Sequence, residues 1–391
     1  MVNPPARVRF LAVFAGILLV FGASRPAEAT TYITTELGAA GPANFAILGL
    51  GGVNVAMTDE VLNGPGQTIG NVGVASSGNI AINSSTPPAI TGNLYLGNTA
   101  TTSGSACAIP PNACGQVGGT VFTNQDAFLG TSGPAGNTNP ALATGAVQQA
   151  MQAYVDFNAL TVDNTITGNI TSSQTLSCTA AQTLDGKCVI AVTGNIQLGN
   201  NDILTLLGTS ANESFILEVA GTISLNGGNN FSGGQIRLGG TLDSPDDAVI
   251  KVQSVSGGDN VTASGGSSQP CNATSYANLG TLAPILCPGG IGSSTNTLPN
   301  AFIQGILLDL QGGVGFSPGM VIGEIIGGGN EIRLVSGSQV IAGTTTVPPT
   351  TTTIPTGSGG TSGQTVPEPS SLVLFATGMG LAAKGLRRRK N

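Results

Sequence analysis

One short phrase returns along the chain and limits what it can fold into. It reads Thr68-Ile69-Gly70-Asn71-Val72, Ile90-Thr91-Gly92-Asn93-Leu94, Ile166-Thr167-Gly168-Asn169-Ile170, Val192-Thr193-Gly194-Asn195-Ile196 and, more loosely, Val219-Ala220-Gly221-Thr222-Ile223. In each copy, β-branched or aliphatic residues alternate with small polar ones around a Gly-Asn able to take a positive φ, so each copy reads as a strand with a corner. Strands this short bury their apolar side chains only by lying on a neighbour. Repeated without charged linkers, they predict stacked rungs: a mainly β, β-solenoid-like domain. The irregular spacing gives no period, and a β-sandwich of many short strands is the alternative.

The opening Leu37-Gly38-Ala39-Ala40-Gly41 and Phe45-Ala46-Ile47-Leu48 also reads as strand-like. So do later segments such as Phe215 to Val219, Ile236 to Leu238, Ala248 to Val252, Phe302 to Leu308 and Glu331 to Val335. One stretch departs from this pattern. From Ala141 to Leu160, Leu142, Ala146, Val147, Ala150, Met151, Tyr154 and Val155 recur at helical spacing, which predicts one long flanking α-helix whose apolar stripe packs on the β body.

Both ends carry targeting signals. Arg7 and Arg9 precede the apolar stretch Phe10 to Ala23, and Ala27-Glu28-Ala29 offers the small-x-small pattern cut by signal peptidase, so residues 1–29 read as a signal peptide and Thr30 as the mature start. At the other end Val366-Pro367-Glu368-Pro369 is followed by an apolar run, then Lys384 and Arg387-Arg388-Arg389-Lys390 as a basic stop. Ser371 to Leu386 spans 16 residues, about 24 Å as a helix against roughly 30 Å of hydrocarbon, a marginal transmembrane segment over 370–386. The basic cluster keeps that end cytoplasmic while everything upstream crosses. Residues 30–342 form the β-rich extracellular domain, and 343–365, rich in Thr, Pro and Gly, a spacer that cannot build a core.

Between the two signals only Lys187, Arg237, Lys251 and Arg333 are basic against seventeen acids, a formal charge of −13 where the whole chain shows −7. Four scattered cations argue against nucleic acid as a partner. Charged residues make up 8% of the chain, so the surface is built from uncharged polar groups, unlike that of a generic soluble enzyme.

The six cysteines fall into local pairs, Cys107 with Cys114, Cys178 with Cys188 and Cys271 with Cys287, which in an oxidising compartment read as disulfides closing small loops. Histidine is absent, which removes Ser-His-Asp, Cys-His and His-metal sites. No cofactor or metal is expected. The densest acidic stretch, Asp243-Ser244-Pro245-Asp246-Asp247 with Asp259 downstream, could offer oxygen to calcium, but a solvated acidic turn is the plainer reading. Paired carboxylates of a glycosidase are not locatable from sequence.

The C-terminal order of motif, apolar run and basic end, Val366 to Lys390, resembles the PEP-CTERM signal, which implies processing by the membrane protease exosortase. The opening Leu37 to Leu48, the alanine- and glutamine-rich helix and the Gly-Asn phrases resemble bacterial ice-binding-like domains over roughly Glu36 to Ile341. Gly70 to Asn79 resembles choice-of-anchor A domains. The ice-binding-like resemblance implies a β-solenoid flanked by one long helix. The expectation is an exported, non-enzymatic structural or adhesive protein, tethered to the inner membrane and then placed at the cell surface or outside. Its partners would be signal peptidase, exosortase, the membrane and extracellular polysaccharide. The alternatives are a carbohydrate-active enzyme, or an ice- or ligand-binding module, which would show a flat, regular threonine face.

Overall fold

The computed structural model describes residues 32–58, 68–83, 88–104, 115–130, 145–228, 232–254, 258–264, 269–271, 293–298 and 300–342. All lie within the unit Met1–Thr345.

The strands pair almost entirely in parallel, which sets the sandwich alternative aside. They build three faces of a coil. The first face runs, neighbour to neighbour, through Asn164–Ile166, Lys187–Val192, Ser214–Val219, Ala248–Val252, Phe302–Asp309, Met320–Gly327, Ile47–Gly49, Val72–Val74, Leu94–Leu96 and Val121–Phe122. The second is an eight-stranded sheet: Ile196–Leu198, Ile223–Asn226, Asp259–Ser264, Gly313–Phe316, Glu331–Val335, Asn54–Thr58, Asn79–Ile82 and Thr101–Ser103. The third passes from Gln174–Leu176 through Ile203–Gly208 and Gln235–Gly240 to the starts of Phe302–Asp309 and Met320–Gly327, then Gln339–Ile341, Thr68–Ile69 and bridges at Ile90 and Val117.

This order means that the chain enters the stack in its middle. It winds outward to Val121–Phe122, resumes at the opposite end with Asn164–Ile166, and winds back until Gln339–Ile341 lies beside Thr68–Ile69. The seam is stitched like any other rung: Ile325 N–H donates to Ala46 O at 2.9 Å and Leu50 N–H to Gly327 O at 2.8 Å.

The repeated phrase forms corners, as expected, and its residues hold consecutive coils together. Gly70 N–H donates to Thr91 Oγ1 (3.2 Å), while Asn71 Oδ1 accepts from Asn93 N–H (2.9 Å) and Asn93 Oδ1 from Thr120 N–H (2.9 Å). The same exchange recurs with Gly168 N–H to Thr193 Oγ1 (2.9 Å), Asn169 Oδ1 from Asn195 N–H (2.8 Å) and Asn195 Oδ1 from Thr222 N–H (2.8 Å). Corner amides that strand pairing leaves open are thus satisfied by a neighbouring coil. Only part of the positive-φ expectation holds. Gly70 and Gly168 have positive φ, whereas Gly92, Gly194 and Gly221 do not. Those three are needed because a neighbouring coil comes too close for a Cβ: one built on Gly92 would stand 2.4 Å from Gly70 O.

The opening is a second correction. Tyr32–Leu37 is an α-helix, here α1, followed by a 3-10 turn at Gly38–Ala40, and the strand begins only at Ile47. Ile33 and Leu37, one helical turn apart, are both buried. Asp126–Leu129 is α2 and Ala146–Asn158 is α3. The long helix is therefore present but shorter than the periodicity implied, and Leu142 lies outside the described residues.

Two apolar layers result. Inside the coil, columns such as Ile190, Leu217, Ile250, Leu307 and Ile325 stack at hydrogen-bonded register. Outside it, Val189, Ile216, Val249, Ile306 and Ile326 of the first face pack against α1 and against Ala146, Val147, Ala150, Ala153, Tyr154 and Phe157 of α3. Small alanines let α3 lie close to the sheet. Val155, expected in the stripe, is 44% exposed.

Cys178 and Cys188 form a disulfide that fastens the end of the third-face strand Gln174–Leu176 to the start of the next first-face strand. Both are buried. Cys107, Cys114 and Cys287 lie outside the described residues. Cys271 ends the strand Gln269–Cys271, which pairs antiparallel with Ser293–Leu298. Replacing Cys178 and Cys188 together by serine should lower the unfolding free energy by about 2–3 kcal/mol, measured by urea denaturation. An unchanged midpoint would show that this terminal coil does not need its cross-link.

Candidate functional site

The first face and the middle of the third are closed to solvent, while the third-face strands Ile203–Gly208 and Gln235–Gly240 keep partly exposed residues. Helices cover the first, and on the third Phe302 and Met320 are fully buried with Gln339 nearly so. The second face is open. Its strands alternate in burial, with Ile196, Leu198, Ile223, Leu225, Val261, Ile332, Leu334, Val55, Met57, Ile80 and Ile82 pointing in and polar or small residues pointing out. At about 4.8 Å per strand the sheet is roughly 34 Å tall.

The central outward row reads Gln197, Ser224, Thr262, Gly315, Arg333, Ala56, Ala81, Ser103 by register. Beside it, the row Glu331, Asn54, Asn79, Thr101 is joined end to end. Asn54 Nδ2 donates to Glu331 Oε1 (2.6 Å), Asn79 Nδ2 to Asn54 Oδ1 (2.8 Å), and Thr101 Oγ1 to Asn79 Oδ1 (3.0 Å). Within the row each amide accepts from one neighbour and donates to the other, and Asn79 Nδ2 also donates to Ser103 Oγ (3.2 Å), so the side chains are held in place. Ser264 Oγ to Asn226 Oδ1 (2.8 Å) repeats the contact at the far edge.

Arg333 and Asp259 form an ion pair at 3.0 Å across the strand between them, Gly313–Phe316. The reach is possible because that strand carries glycine at both outward positions; a Cβ on Gly315 would stand 2.3 Å from Asp259 Oδ2. With Arg333 about half exposed, the pair adds little stability. It serves to hold a charged spot flat on the face.

Asp259 is thereby engaged, and the remaining acidic stretch is a capped turn. Ser244 N–H donates to Asp247 Oδ2 (2.9 Å), and Ser244 Oγ accepts from Asp246 N–H (3.3 Å) around the 3-10 turn Pro245–Asp247. Asp246 and Asp247 are buried, not solvated as the plainer reading held. Burial pushes the Asp247 carboxyl above its usual range, and does the same for Asp309, whose Oδ1 accepts from Gln311 and Gly312 N–H and from Asn260 Nδ2. Among the described residues, no three of His, Cys, Asp and Glu gather so as to hold a metal ion.

The signal-cleavage residues Ala27, Ala29 and Thr30, the motif Val366, Pro367, Glu368 and Pro369, and the basic residues Lys384, Arg387, Arg388, Arg389 and Lys390 lie outside the described residues. Among the described residues, no helix is long and apolar enough to cross a membrane. The sequence reading did not single out Asn54, Asn79, Glu331 or Arg333 as one surface. Alternation in Glu331-Ile332-Arg333-Leu334-Val335 was the available signal, but partners 277 residues apart, Asn54 and Glu331, leave no local trace.

Residues 365–390 match the PEP-CTERM protein-sorting motif, the mark of an exported protein held transiently at the membrane and processed by exosortase. No curated protein is similar in sequence. Among solved structures, an ice-binding protein from an Arctic yeast aligns at 16% identity with a TM-score of 0.44, over 81% of this chain and 96% of the other. An ice-binding protein from the Antarctic ascomycete Antarctomyces psychrotrophicus aligns at 15% and 0.41, over 79% and 98%. Ice-binding protein 1 of Shewanella frigidimarina aligns at 12% and 0.33, over 79% and 97%.

Proposed function

We propose that this is a non-enzymatic structural or adhesive protein of the cell surface or extracellular matrix, which presents its open eight-stranded face to extracellular polysaccharide. The observation that carries the reading is the outward row Glu331, Asn54, Asn79, Thr101, whose members are locked to one another by hydrogen bonds. A row fixed at the strand spacing meets a polymer without losing side-chain freedom on contact, and many weak hydrogen bonds held in register add up as avidity. The sorting motif supports a place outside the cell for such contacts. An ice-binding role asks for a regular threonine array, and the central row has threonine at Thr262 alone.

The test replaces Asn54, Asn79 and Thr101 together by alanine. Retention of the protein on the producing cell's own extracellular polysaccharide should fall at least about tenfold, with the circular dichroism unchanged. Equal retention would remove this face from the reading, and thermal hysteresis in the unaltered protein would replace polysaccharide by ice. In the same cells, Pro367, Glu368 and Pro369 changed to alanine should leave the protein in the membrane fraction. An unchanged distribution would speak against processing at that motif.

A further inference from the structure

On the first face, Lys251 and Glu218 stand side by side on paired strands and point outward beneath the end of α3. Lys251 is fully buried, and its Nζ lies 2.7 Å from Glu218 Oε1 and 4.7 Å from the centre of the Tyr154 ring. A third partner is Asn158, the last residue of α3, whose Oδ1 is in direct contact with Lys251 Nζ. Contact with Oδ1 brings the amine beside the carboxamide carbon that carries it. The same Oδ1 also accepts from Gln253 Nε2 at 3.3 Å.

An amine, a carboxamide, a carboxyl group touching the amine and an N–H donor on the amide oxygen are the parts of an amide-exchange reaction. We infer that Lys251 and Asn158 join in an intramolecular isopeptide bond, with Glu218 carrying the proton. The Lys251 Nζ lone pair attacks Asn158 Cγ while Glu218 takes a proton from Nζ. Negative charge gathers on Oδ1, where Gln253 Nε2–H meets it. The Cγ–Nδ2 bond then breaks, and Glu218 returns the proton to Nδ2, which leaves as ammonia. One C–N bond forms and one breaks, with no oxidation and no further reactant.

The surroundings favour each step. Burial lowers the Lys251 pKa, which favours the neutral amine needed for attack, although Glu218 works against this by stabilising the charged form. Asn158 is exposed on its other side, so ammonia leaves into water. The product ties the end of α3 to the coil through residues 93 apart, a covalent strap added to the apolar packing of the helix on the sheet.

Peptide mapping of the full chain, exported from a Gram-negative host and reduced, decides the matter. Trypsin cuts after Lys187, Arg237, Lys251 and Arg333, but not after an acylated lysine. The expected product is the peptide ending at Lys187 joined to an uncut 238–333, lighter than the two together by one ammonia. It should be absent from Asn158→Ala, which alters an exposed helix end, and from Glu218→Gln. Cleavage after Lys251 in the unaltered protein, giving peptide 238–251 at its plain mass, would overturn the bond and leave an ordinary buried ion pair. A joined peptide persisting in Glu218→Gln would overturn the proton-carrier role.

Discussion

Glu324→Leu is expected to raise the unfolding free energy at neutral pH by about 1–3 kcal/mol and to flatten its dependence on pH. Glu324 sits in Met320–Gly327 with no exposed surface, in the outward row that continues Ile216, Val249 and Ile306. Among the described residues, neither carboxyl oxygen has a hydrogen-bond partner. Burial holds its pKa well above the ordinary 4.5, and the nearby Asp246 adds to the shift. The folded chain therefore keeps a proton that the unfolded chain releases near pH 4.5. Its contribution is fully present below that pH and is lost as pH rises toward the raised folded value. Leucine suits the aliphatic row and has no proton to lose. Asp247 and Asp309 are shifted the same way, so the test is the difference between variant and unaltered protein in urea denaturation across a pH series. Parallel curves would show that Glu324 stays charged or finds a partner in the native state.

Local chemistry was legible in the sequence where a rung depends on itself and its neighbour. The Gly-Asn phrases were readable as corners, the Ala-rich stretch as a helix, and strand burial by alternation. Their placement was not. Gly70-Asn71 and Gly92-Asn93 turn the chain from the third face into the first, whereas Gly168-Asn169 and Gly194-Asn195 turn it from the first into the second. One phrase used at two different corners has no single period, and this is why counting residues between copies fails. The mid-stack entry is equally hidden, since Ile47 pairs with Ile325 through backbone amides that any residue supplies. The open face followed from that topology: Asn54 and Glu331 became neighbours only when the strands Asn54–Thr58 and Glu331–Val335 paired. Glu324 did leave a sign, a single acid within Val321-Ile322-Gly323-Glu324-Ile325-Ile326, but an apolar run alone does not say which side of a strand is covered.

Gly221→Ala tests whether the corner ladder, and not glycine's flexibility, is what the phrase supplies. Gly221 is not among the positive-φ residues, so alanine meets no backbone penalty there. Space is the obstacle: the new Cβ would stand 2.1 Å from Asn195 Oδ1 and 2.7 Å from Gly194 O. The Asn195 oxygen has to withdraw, and with it goes the 2.8 Å bond from Thr222 N–H, leaving that corner amide open just ahead of the register pair Ile196 and Ile223. Displaced packing and a lost hydrogen bond together should cost about 3 kcal/mol. Gly258→Ala is the control, because among the described residues nothing lies within 4 Å of a Cβ there, and its effect should stay within about 0.5 kcal/mol. Equal urea midpoints for the two variants would mean that the coils can slide apart at the corner. The asparagine ladder would then be a consequence of the stacking and not one of its causes.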